Sequence, residues 1–268
     1  NIMKYIPERM FIIPTGAIVG IMSASFVSYY ITLILSYIIT GSTTCKRIGL
    51  IATCVLLVYL TATFCLKFYK NASKKDKTAS LVPSYKSKSG TTWFYDIVIV
   101  AIFVIATILF FYTYKIVNGN LEAGYSVFSD LSPHTAMTSS FGVGFNFPTQ
   151  YMHFSGDGIQ YHFFFYYFCG VLQYLGLSLD FAINLPSIIS MVSALTLLGL
   201  LAVLLTGRRL AFFFSPILVL FRSSLNFFSE VSRICTDTGL SWLSAVKNVA
   251  SYTTWYGKTE FDKWGIWS

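Results

Sequence analysis

Tyr161–Leu175 reads YHFFFYYFCGVLQYL, and a little further on Ile183–Thr206 reads INLPSIISMVSALTLLGLLAVLLT. How many of these two stretches cross a membrane decides the topology of the chain. A helix needs about 20 apolar residues to span a hydrocarbon core. The second stretch is long enough, whereas the first has only about 15 residues and is thick with Phe and Tyr. Between Lys115 and Arg208 there is no Lys or Arg, while the segment before Tyr95 is rich in Lys. Basic residues collect on the cytoplasmic side. If both stretches crossed, Arg208 and Arg209 would face outward; if only the second crosses, they face the cytoplasm. The second arrangement agrees with the charges. Tyr161–Leu175 is then expected as a short helix at the outer interface, where aromatic side chains are favoured.

Composition points the same way. Hydrophobic residues make up 55% of the 268 residues, aromatic residues 18% and charged residues only 11%. So few charges cannot cover the surface of a soluble domain of this size. The net charge of +8 lies mostly beside apolar spans and is read as topological. No nucleic-acid-binding module is recognisable, so nucleic acid is not expected as a partner; the lipid bilayer is. The five cysteines, Cys45, Cys54, Cys65, Cys169 and Cys235, lack metal-ligand spacing. The first apolar run is too long for a signal peptide and has no cleavage site. A start at Asn1 and a stop after Trp264-Gly265-Ile266-Trp267-Ser268 suggest a fragment of a longer protein.

The expected fold class is therefore all-α, a polytopic helical membrane protein. It has about five transmembrane helices, at Phe11–Ile39, Ile48–Leu66, Tyr95–Tyr114, Ile183–Thr206 and Leu210–Phe228. Gly16 and Gly20 offer close helix packing in the first. Residues 1–93 form two amino-terminal spans and a Lys-rich cytoplasmic linker. Residues 94–228 form a membrane core with a large outer loop at 116–182, and 229–268 an outer segment. The amino terminus is placed inside.

All three histidines, His134, His153 and His162, fall in the outer loop. Asp130 and His134 stand four residues apart and would share one face of a helix. A carboxylate near the membrane face can be partly desolvated and act as a base. It could equally ligate a divalent cation that neutralises a phosphate leaving group, the one cofactor this chemistry admits. Alternatively, Ser129 or Asp130 merely caps a helix that Pro133 helps to start. Gly142, Gly144, Gly156 and Gly158 suggest tight loops, with Asn146-Phe147-Pro148 as a turn. Asp157 is a substrate-binding candidate or a turn residue; Tyr161 and His162 border the cavity or anchor at the headgroups. His153 is read as an ordinary loop residue. Arg222, toward the outer end of the last span, is a clamp for a lipid-linked phosphate or a snorkelling side chain. Phosphate-binding Gly-rich loops, zinc-protease helices, nucleophile elbows and dinucleotide fingerprints are absent from the sequence.

Ser129-Asp130…His134…Ser140-Phe141, Asn146-Phe147-Pro148, Phe154-Ser155-Gly156, Tyr161-His162-Phe163, Gly176-Leu177 and Asn184-Leu185-Pro186-Ser187 together resemble bacterial multi-spanning glycosyltransferases of the GT-C superfamily. Protein O-mannosyltransferases and the lipid A aminoarabinose transferase share that architecture. The likeness covers about Tyr95 to Leu210, and Trp264-Gly265-Ile266-Trp267 looks like a motif of an uncharacterised branch. It implies a polyprenyl-phosphate-linked sugar as donor and inverting transfer at the outer face of the cell membrane. The acceptor would be a cell-envelope glycan, lipid or protein. In that family an acidic residue just after a span in the first outer loop is catalytic, the position Asp130 holds here. The family's paired acidic motif is missing, since the neighbours are Ser129 and Leu131. Two different readings stand beside this one: a transporter or flippase subunit for lipid-linked glycans, and a non-catalytic membrane assembly protein.

Overall fold

A computed structural model describes residues 9–39, 44–74, 93–124, 128–154, 156, 158–220 and 226–250. Among them, four helices are long and apolar enough to cross a membrane: α1 (Arg9–Ile38), α2 (Thr44–Lys74, apolar over Ile48–Lys67), α3 (Trp93–Thr113) and α6 (Leu179–Thr206). Between α3 and α6 lie a hairpin, β1 (Tyr114–Val117) and β2 (Asn120–Ala123), and two shorter helices, α4 (Phe128–Gly142) and α5 (Phe164–Tyr174). After α6 come α7 (Leu210–Leu220), α8 (Asn226–Thr238) and α9 (Trp242–Ala250). The chain is a helical membrane protein, with one small hairpin among the described residues.

The long helices alternate in direction. Arg9 at the start of α1 pairs with Asp96 in the first turn of α3, so these two run parallel. The Asn184 amide near the start of α6 donates to the Tyr114 carbonyl just beyond α3, which sets α6 antiparallel to both. Two apolar clusters follow from this. One joins Met10, Tyr95, Val98, Leu200, Val203 and Phe212 at one end of the bundle. The other joins Ala24, Tyr29, Leu56, Met137, Phe141 and Tyr167 at the hairpin end. α1 has 30 residues, about 45 Å at 1.5 Å each, against a hydrocarbon core of about 30 Å. Its surplus length props up the hairpin end, where Ser28 shares a hydrogen bond with the Tyr167 hydroxyl and Tyr29 donates to Thr149.

The fifth expected span, Leu210–Phe228, is described only in part. Its first 11 residues, Leu210–Leu220, form a helix. It turns back on α6 because Gly207, at φ 74°, closes α6 in a left-handed cap, and Phe212 then packs on Gly199. Residues 221–225 lie outside the described residues, and Asn226–Thr238 is again helical.

α5 is not a span, as expected, but neither does it lie alone at a surface. Tyr167, Cys169, Gly170 and Val171 are buried, and it packs on α4, α1 and α6. The hairpin has no counterpart in the sequence reading. Asn118 at φ 52° and Gly119 at φ 80° make its two-residue turn, with Tyr114 opposite Ala123. Close helix approach also falls elsewhere than expected: a Cβ at Gly16 or Gly20 would meet nothing within 4 Å, whereas Gly142 and Gly170 lie at the α4–α5 crossing.

Candidate functional site

α4 and α5 carry the residues singled out above. Asp130 lies in the first turn of α4, where a carboxylate suits the positive end of the helix dipole, and its side chain is exposed. The expected desolvation of this carboxylate is therefore not provided by protein atoms. Pro133 sits inside α4 rather than at its first position, because the helix already begins at Phe128.

His134 is half-buried one turn further on and is the centre of the group. Its ring stacks on Tyr166 at 4.5 Å and 14°, and on Tyr161 at 6.0 Å and 21°. His162 stands 6.2 Å from it and 3.8 Å from the Tyr161 ring, between centroids. Asp130, His134, Tyr161 and His162 are thus gathered on one shelf. Burial pushes the His134 pKa below the ordinary histidine value, His162 adds to this, and the Asp130 charge opposes it. His134 is accordingly a neutral imidazole at pH 7, able to donate or accept a hydrogen bond. Burial chiefly, then Tyr161, Cys169 and Asp130, push the Tyr166 phenol up, so it stays protonated and is a donor.

Tyr166 escaped the sequence reading, hidden in an aromatic run whose members look alike until packing separates them. Asp180 escaped it too. This residue is buried, and its carboxylate accepts the Ser178 hydroxyl at 2.5 Å and the backbone N–H groups of Ile116 and Phe181 at 3.0 Å. It ties β1 to the start of α6 and so fixes the hairpin that leads into α4. Asn146 sews its turn as expected, with Nδ2 donating to the Gln150 carbonyl and Oδ1 accepting from the Gln150 N–H. His153 is an exposed loop residue set edge-on to Tyr151.

Asp157 and Arg222 lie outside the described residues. Among the described residues, no group of three or more His, Cys, Asp or Glu side chains could hold a metal ion. Asp130 is the one carboxylate that this shelf would offer a cation. In comparison with known proteins, no family model matches this chain, and no curated protein or solved structure matches it either.

Proposed function

We propose that the chain is a membrane glycosyltransferase that moves a sugar from a polyprenyl-phosphate-linked donor to an acceptor hydroxyl. The observation that supports this best is the gathering of Asp130, His134, Tyr161 and His162 on one shelf at the hairpin end of the bundle. By the distribution of basic residues, that end faces the outside of the cell membrane. A lipid-linked donor places its phosphate at the same headgroup depth.

In the reaction, Asp130 takes the proton of the acceptor hydroxyl. The hydroxyl oxygen bonds to the anomeric carbon as the bond from that carbon to the phosphate oxygen breaks, and the electron pair leaves with the lipid phosphate. Tyr161 offers an exposed ring face for the sugar, while neutral His134 and protonated Tyr166 offer hydrogen bonds. Positioning of the acceptor hydroxyl and the anomeric carbon beside Asp130 supplies much of the rate.

The test is transfer of label from polyprenyl-phosphate sugars in membranes carrying the protein, wild type against Asp130→Asn. The expected result is transfer by the wild type and a loss of at least about 100-fold in the variant at equal membrane content. Equal transfer by both would remove Asp130 as the base. Absence of transfer with every donor would favour a transporter or assembly protein.

A further inference from the structure

A second feature lies far from the shelf. α1, α3 and α6 leave between them a cavity of about 210 Å3, lined in part by Ile13, Pro14, Ile99 and Val192. It is at the end of α3 opposite the hairpin, about 30 Å away along a helix of 21 residues. Its volume admits about seven groups of water's size, at about 30 Å3 each.

Three polar features mark it. Ser193 and Thr196 line it, are 6% and 2% exposed, and make no hydrogen bond among the described residues. That is unusual here: Ser25, Thr32, Thr107, Ser187 and Thr206 all donate to the carbonyl four residues earlier in their helices. Pro14 has no N–H, so the Met10 carbonyl at the same cavity lacks its helical donor. Arg9 and Asp96 form the exposed edge. Arg9 uses only Nη2, at 2.7 and 3.0 Å, to hold both carboxylate oxygens, which leaves Nη1 and Nε for another acceptor.

We infer that this cavity binds one bilayer phospholipid with an ammonium-bearing, zwitterionic headgroup. The phosphate sits on the open edge of Arg9 and the ammonium beside Asp96, so the local charge stays balanced. The ester region meets the Ser193 and Thr196 hydroxyls. The first methylenes of one acyl chain run along Ile13, Ile99 and Val192. A lipid fits better than a water-soluble ligand because Ile13, which lines the cavity, is itself 67% exposed, as is Ile12 beside it at 57%. The two hydroxyls open onto an otherwise apolar space, where an ester would supply their acceptors. This inference is independent of glycosyl transfer.

The test uses the purified protein in detergent and follows thermal unfolding as dioleoyl phosphatidylethanolamine is added. The expected result is a saturable rise in midpoint with this lipid, and none with glycerophosphoethanolamine or dioleoylglycerol. The double variant Ser193→Ala/Thr196→Val should weaken the lipid's apparent affinity roughly tenfold. An equal effect of the headless or the chainless compound, or an unchanged affinity in the variant, overturns the proposal. Should the variant not fold, a diazirine-bearing phosphatidylethanolamine on the wild type decides the matter. Adducts concentrated at Ile13 and Ile99 support the site, and adducts spread evenly over the exposed face of α1 refute it.

Discussion

Replacing Gly170 by alanine should loosen the joint on which the candidate site rests. A Cβ at Gly170 would stand 2.7 Å from the Phe141 Cβ, 2.7 Å from the Thr138 carbonyl oxygen and 3.0 Å from the Gly142 nitrogen. The crossing is equally tight from the other side, where a Cβ at Gly142 would meet the Gly170 carbonyl at 2.7 Å. Non-bonded carbon contacts settle at about 3.5–4.0 Å, so α5 must withdraw from α4 by about 0.8 Å. Two of the obstructing atoms belong to the backbone of a helix and cannot rotate away. Overpacking of this kind costs about 1–3 kcal/mol, and the upper half of that range is expected here. The midpoint of thermal unfolding in detergent should drop by several degrees, about 2–4 °C per kcal/mol for a chain of this size. The separation also breaks the 4.5 Å stack of His134 on Tyr166, so near-ultraviolet circular dichroism should change. Gly16→Ala is the control, since a Cβ there meets nothing within 4 Å and alanine is the better helix former. Equal stability of Gly170→Ala and Gly16→Ala would refute the reasoning.

Two more outcomes follow from the same geometry. The lowered His134 pKa means that the unfolded chain binds a proton which the folded one resists, so stability is present above the ordinary value of 6.5 and is lost as pH falls below it. His134→Phe keeps the stack and should flatten that part of the stability–pH curve; an unchanged curve would place the dependence elsewhere. Asp180→Ala leaves the Ile116 N–H without its carboxylate and should cost about 2–4 kcal/mol, read as earlier unfolding and faster proteolysis between Lys115 and Glu122. Resistance equal to wild type would show that the hairpin is held by its own ladder.

Much of the architecture was legible in the chain because a bilayer imposes a simple rule. Length and apolarity of a helix suffice to mark α1, α2, α3 and α6, and the shortness of Tyr161–Leu175 sufficed to deny it a crossing. The same rule extends to Leu210–Phe228, of which Leu210–Leu220 is described, and there only the fold shows that the cap at Gly207 and the packing of Phe212 on Gly199 set how this helix lies. For the candidate site, spacing alone put Asp130 and His134 on one helical face, since i and i+4 are neighbours in any α-helix. Spacing could not bring Tyr161 and His162 to them, nor pick Tyr166 out of FFFYYF. Those contacts depend on where α5 crosses α4, and two glycines set that crossing by letting backbones touch. Nor could it show that Asp180, in the expected outer loop, and Asn184, at the start of an expected span, hold the hairpin by Ile116 and Tyr114. Burial and period are properties of a segment and can be read from it; a hydrogen bond across 64 or 70 residues exists only once the chain has folded.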